Sequence, residues 1–251
     1  MTGLQGPALT DGRRAPEPAP TTPEAGDRSS RIASLVAGIS LLAMALLTPF
    51  AHFVVLGGLV TPGDAAGTVE SIAGSEGLFR WGVVSLAVVA VLDVVVAAAL
   101  FHLFAPVNRL ASMFAAWLRL AYAAVFMVAI GMLAGVLPLS GDPDHAVQGI
   151  DAFYDVWHAA LVLFGAHLMA IGYLAYRSVR VPRVIGVVYL VAGAGYLIDR
   201  FAALLLSDYS LQIAAVTGPG EVALVFWLLL KGVRFSSAER PLPVDRALAG
   251  T

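Results

Sequence analysis

Two ionisable residues stand in the middle of otherwise apolar sequence: Asp93 in "VAVLDVVVAAAL" and Arg119 in "AAWLRLAYAAVF". A charge at the centre of a membrane helix costs ~2.5–3.5 kcal/mol on insertion scales, so such residues face the bundle and find partners. Asp93 falls near the middle of one apolar run and Arg119 ~9–12 Å inside the next, and an arginine side chain can bridge the difference in depth. Ala115, Ala116, Tyr122 and Ala123 lie a turn to either side of Arg119, and these mostly small residues let a neighbouring helix approach closely. Two readings are open: Asp93 is a proton-carrying or cation-binding carboxylate, or Asp93 and Arg119 form a buried salt bridge that fixes helix register.

A second set of charges is expected near the opposite ends of the spans. In "GYLIDRF" (195–201), Asp199 shares a seam with Ala192, Gly195 and Ala202, while Arg200 is turned about 100° away with Tyr196. Adjacent residues on a helix do not face each other, so each needs a partner elsewhere. Candidates at the same depth are Glu221, Asp155 with His158, and Glu76 with Arg80, the last two spaced to pair with each other. Glu76, Arg80, Asp155, His158, Asp199, Arg200 and Glu221 are thus candidates for one water-reachable polar pocket near the outer surface. The alternative is a set of separate charges, each reaching out to water.

The other chemistry is sparse. Asp155 and His158 can share a helix face, but His158 and His167 are nine residues apart and point to nearly opposite sides. No His-Glu-x-x-His run occurs, so neither a metal nor another cofactor is expected. His167 is expected to pack in mid-bundle and bond a backbone carbonyl; His52 and His102 are expected at the interfaces. Ser40, Ser85 and Ser207 have no histidine at a nucleophile–base spacing, and "TGPGE" (217–221) reads as a helix start with Pro219 in its first turn. Gly131 and Gly135 form a GxxxG suited to packing inside the bundle or across a homodimer. Trp81 and Trp157 suit an aromatic belt, and Trp227 suits the core.

The elements that must position these residues follow from composition. Of 251 residues 59% are hydrophobic and 13% charged, and the mean hydropathy is +0.84. Soluble domains carry about 25% charged residues, so the chain reads as a membrane protein. The net charge of −2 argues against nucleic acid as a partner, and the absence of cysteine removes disulfides and thiolate chemistry. Apolar runs of ~20 residues, enough to cross ~30 Å of hydrocarbon, fall at about 32–56, 81–104, 113–137, 157–176, 183–206 and 217–234. Pro49 should kink the first of them or end its regular part. The expected fold is therefore an all-α, polytopic membrane helix bundle with six transmembrane helices. Residues 1–30, rich in Pro, Ala, Thr and charge, are expected to be a disordered tail, 31–235 the transmembrane domain, and 236–251 a short second tail. Arg13, Arg14, Arg28, Arg31, Arg109, Arg177, Arg180, Arg183, Lys231, Arg234, Arg240 and Arg246 fall on one set of flanks. The alternate loops are acidic, with only Arg80 beside Asp64, Glu70, Glu76, Asp142, Asp144, Asp151, Asp155 and Asp208. By the positive-inside rule both termini are cytoplasmic.

Several strings carry a family likeness: "SEGLFRWG", "AVLDVVVAAALFHLFAPVNR", "AAWLRLAYAAVF", "FGAHLMAIGYLAYRS", "VPRVIGVVYLVAGAGYLID" and "GEVALVFWLLLKG". In this order and spacing, over residues 32 to 234, they resemble the bacterial membrane family called domain of unknown function 4386. The resemblance implies a multi-helix protein of the bacterial plasma membrane with no assigned activity. Asp199 matches the family's motif; Phe101, His102 and Arg200 depart from its usual pattern.

Three functions fit. The first is a non-enzymatic binding, sensing or accessory protein with an outward-facing polar pocket and an unidentified small-molecule ligand, which would have the lipid bilayer, and a second copy or another membrane protein, as partners. The second is a small-solute or proton-coupled transporter, in which Asp93 would lie where coupling sites tend to lie. The third is an intramembrane hydrolase using Asp155, His158 and Glu221.

Overall fold

The computed structural model describes residues 23–137, 142–206, 209, 213 and 222–234. Among them there are seven helices and no strand. Helix α1 spans Pro23–Pro49 and runs on through a π-helical stretch, Phe50–Leu56, and a last turn, Gly57–Leu59. The others are α2 (Ala65–Gly74), α3 (Glu76–Phe104), α4 (Arg109–Ala134), α5 (Pro143–Arg177), α6 (Arg183–Leu205) and α7 (Val222–Arg234).

Five helical stretches are long and apolar enough to cross a membrane: Arg28–Leu59, Glu76–Phe104, Arg109–Ala134, Pro143–Arg177 and Arg183–Leu205. Of the sixth expected span, α7 covers Val222–Arg234, and the residues just before it lie outside the described set. The surface is apolar. Trp81, Val88, Val91, Phe114, Trp117, Val128, Val191 and Phe226 are exposed, while Ser34, Ser85, Asp93, Ser112, Arg119, His167 and Asp199 are buried. Polar inside and apolar outside is the pattern of a bundle solvated by lipid.

Local chemistry sets the helix ends. Pro23 stands at the first position of α1, where a missing N–H costs nothing. The helix thus begins ahead of the boundary expected at residue 31. The α-helical winding stops at Pro49 and the wider π winding follows. A proline ring displaces the carbonyl four residues back, and a π turn absorbs the displacement. Asn108 accepts from the Ala111 amide at 3.0 Å and caps α4, so the short 105–108 turn sets α3 and α4 antiparallel. Asp142 caps α5, accepting from the His145 amide at 3.3 Å, with Pro143 as its first residue. That cap starts α5 well before the apolar run expected at 157, and with α2 it extends the bundle on the face remote from the α1 start.

In packing order α7 lies against α1, α1 against α3, α3 against α4, α4 against α5 and α5 against α6; the last pair has the most extensive interface. Glycines at seven-residue spacing explain it: Gly165 and Gly172 on α5, Gly186 and Gly193 on α6. A Cβ added at Gly172 would lie 2.7 Å from the Leu190 amide nitrogen, and one at Gly186 2.5 Å from that of Tyr176. The two backbones touch, which any side chain would prevent. By contrast, a Cβ at Gly131 meets nothing and one at Gly135 meets only its own helix. The GxxxG of α4 therefore takes no part in packing among the described residues.

Candidate functional site

Asp93, Arg119 and His167 lie ~16, ~15 and ~15 Å along their helices from Phe104, Arg109 and Arg177, ends that gather on one face of the bundle. Common depth brings them together. Arg119 Nη2 meets Asp93 Oδ1 at 2.7 Å, with the side chains 3% and 0% exposed. Nη1 of the same guanidinium lies 3.1 Å from His167 Nε2. His167 Nδ1 lies 2.8 Å from the Ala115 carbonyl oxygen. A guanidinium can only donate, so Nε2 accepts, Nδ1–H donates to Ala115, and the imidazole is neutral. The Arg119 Cζ also sits 5.6 Å from the centre of the Phe164 ring, a cation–π contact. The chain Asp93–Arg119–His167–Ala115 thus ties α3, α4 and α5 at one level.

The pair is close but incompletely satisfied. Arg119 Nη2 is within bonding distance of Asp93 Oδ1, while Arg119 Nε has no hydrogen-bond partner among the described residues. Both side chains border a cavity of about 360 Å³. Tyr122, Trp157 and Phe164 form one aromatic side of it, Tyr189 and Tyr196 another, and Leu41, Met44 and Pro49 of α1 an aliphatic one. Ligand sites of ~300–1,000 Å³ share this make-up, apolar and aromatic walls with a few convergent polar groups.

The charges expected to share an outer pocket are placed as follows. Glu76 and Arg80 pair with each other on the first turns of α3, where Arg80 Nε donates to Glu76 at 2.8 Å, and both are exposed. Asp199 is buried, 1% exposed. Its Oδ1 accepts from the Tyr209 hydroxyl at 2.5 Å and the Ile213 amide at 3.0 Å, which pins the segment after α6 to that helix. Hydrogen bonding to Asp199 pushes the Tyr209 phenol above its ordinary range. His158 and Asp155 are exposed on α5, and His158 lies within electrostatic reach of Arg200, Asp155 and His52. Arg200 Nε is buried without a hydrogen-bond partner among the described residues. Glu221 lies outside the described residues. Asp155, His158 and Arg200 are therefore neighbours, whereas Glu76 with Arg80 and Asp199 have partners of their own.

The same end of the bundle has an outer cavity of about 580 Å³, and none of the six described residues of that set lines it. His52 and Phe53 of the π-helical stretch, Asp64 and Thr68 near the start of α2, and Asp151 and Tyr154 of α5 do. The signals for it were Pro49, which re-aims the residues after it, and Tyr154, one turn before His158. His52 is half-buried among aromatic rings. At the opposite end His102 is exposed and lies 2.8 Å from Ser29 Oγ, and Arg28, Arg31, Arg109, Arg177, Arg180 and Arg183 cluster around the same face. Among the described residues no three His, Asp or Glu side chains come together as metal ligands would.

Residues 36–232 match the family model described as Domain of unknown function (DUF4386), and the chain belongs to that family. It is also similar to an uncharacterized protein of Archaeoglobus fulgidus, with 33% identity over 156 residues, 62% of this chain and 86% of that protein. No solved structure matches.

Proposed function

We propose that this family member is a multi-pass membrane protein that binds a small amphipathic ligand inside its bundle, as a non-enzymatic binding, sensing or accessory component. Asp93 and Arg119 form the polar end of the site, and the aromatic and aliphatic walls hold the rest of the ligand. One observation carries this reading: a buried carboxylate–arginine pair borders a cavity of ligand size. A ligand hydroxyl or amine that reached Asp93 would add a charge-assisted hydrogen bond to this pair. The arginines on one face support an orientation with both termini in the cytoplasm of a bacterial cell, across its plasma membrane, and α7 with the residues before it would complete a sixth span. The test is native mass spectrometry of the full chain released from its own membrane in mild detergent. A bound small molecule retained by the wild type and lost in Asp93→Asn supports the proposal; an identical bound set in both contradicts it.

A second reading, a proton-coupled or small-solute transporter, draws on the position of Asp93 deep along α3. It predicts solute flux in proteoliposomes that Asp93→Asn abolishes while the fold is retained.

A further inference from the structure

Contacting aromatic rings separate the inner cavity beneath Asp93 from the outer cavity at the far face. Trp157 lines the inner cavity, and His52 and Tyr154 line the outer one. The three rings are in mutual contact: His52 to Trp157 at 5.7 Å, His52 to Tyr154 at 5.8 Å and Tyr154 to Trp157 at 6.3 Å between centres.

Each ring is held in a way that permits movement. Trp157 Nε1–H donates to the Tyr122 hydroxyl at 3.3 Å, a long bond to a residue on the inner wall. His52 Nδ1 is buried with no hydrogen-bond partner, so only ring contacts hold that imidazole. The backbone carrying His52 is π-helical from Phe50 to Leu56, directly after Pro49, which lines the inner cavity. Such stretches are weak points in the helical ladder and recur at functional positions. Two carboxylates, Asp64 and Asp151, line the outer cavity, with no Lys or Arg among its described lining residues. Their field disfavours anions.

We propose that the outer cavity is the entrance to the inner one, that Trp157, latched to Tyr122, forms with Tyr154 and His52 an aromatic gate between them, and that the route selects neutral or cationic amphipaths over anionic ones. This rests on the inner cavity being the ligand site. The gate explains how a site inside a lipid-solvated bundle exchanges its occupant with water at one face.

The chain has no cysteine, so a single Val89→Cys places the sole thiol on the inner wall, one turn from Asp93. In sealed vesicles holding the full chain, cationic or anionic membrane-impermeant thiosulfonates are added at either face. Ala66→Cys on α2 and Val179→Cys in the 178–182 turn report which face is outside. The expected result is modification of Val89→Cys from the α2 face only, at least about threefold faster with the cationic reagent. Tyr122→Phe, which removes the latch and keeps the ring, and Trp157→Phe, which removes the latch together with part of the ring, each raise the rate at least about fivefold, the effect of losing one hydrogen bond from the closed state. The two together raise it no further. Rates unmoved by both substitutions, modification only from the opposite face, preference for the anionic reagent, or no modification in any variant overturns the proposal. The readout needs no ligand, so a gate without a retained small molecule, or a retained molecule without a gate, separates this inference from the binding function.

Discussion

Arg119 reaches Asp93 at 2.7 Å in the middle of the bundle, with one side chain 3% exposed and the other fully buried. Two antiparallel helices place the charges at one depth, and His167 from a third helix accepts a second guanidinium N–H. A buried pair of this kind adds little net stability against a well-packed apolar alternative, but breaking it leaves a charge stranded.

Replacing Arg119 alone should therefore be severe. Arg119→Met is expected to cost ~3–5 kcal/mol, read as a lowered unfolding midpoint in detergent. The double variant Asp93→Leu with Arg119→Met should recover most of that loss while abolishing ligand retention. If Arg119→Met alone leaves the midpoint unmoved, the pair does not hold these helices.

The contact of α5 with α6 depends on bare backbone. Gly186→Ala puts a methyl group 2.5 Å from the Tyr176 amide nitrogen, and overpacking of this kind costs ~1–3 kcal/mol. Gly131→Ala meets nothing and should leave the midpoint unchanged or raise it. Equal effects from the two would contradict the packing described.

Asp199 tethers the segment after α6 through Tyr209 and Ile213. In Asp199→Ala the Ile213 amide loses its acceptor, and its hydrogen exchange should accelerate by at least about fivefold, the effect of one lost bond. Exchange in the middle of α5 should stay unchanged. Unaltered protection at Ile213 would count against the tether.

The cap of α5 carries a pH dependence. The His145 side chain, and then its backbone amide, hydrogen-bond Asp142 and hold its carboxyl below the ordinary carboxylate range. A depressed folded-state value gives stabilisation that is present above the unfolded pKa and is lost as pH falls through the folded one. The first turn of α5 should therefore fray only in acid below the ordinary range, seen as faster amide exchange at 144–147. Asp142→Ala should fray at neutral pH as well.

Much of the frame was legible in the sequence because insertion cost is a local property. An Asp or an Arg inside a run of valines and alanines has to face inward and be paired, and Asp93 with Arg119 obeys. His167 bonds a backbone carbonyl as a core histidine should, and Pro49 ends the regular helix. What lay beyond reach depends on how helices rotate against one another. The link from Arg119 to His167 requires the azimuth of α5, which the glycines at 165, 172, 186 and 193 set by letting two backbones meet. The outer cavity turns on His52, whose direction the π-helical stretch changes. Charge spacing pointed to seven residues at that end; Glu76 and Arg80 satisfy each other, and Asp199 is taken up by the chain that follows its own helix.

The central claim is that the space beneath Asp93 and Arg119 holds a small amphipath, and filling that space tests it most directly. Ala45 borders the cavity on α1. Native mass spectrometry of full-length Ala45→Phe beside the wild type, both taken from the same membrane, should show the bound small molecule in the wild type and its loss in the variant, with the unfolding midpoint kept. The same adduct at the same occupancy in both proteins, or none in either, would contradict the account.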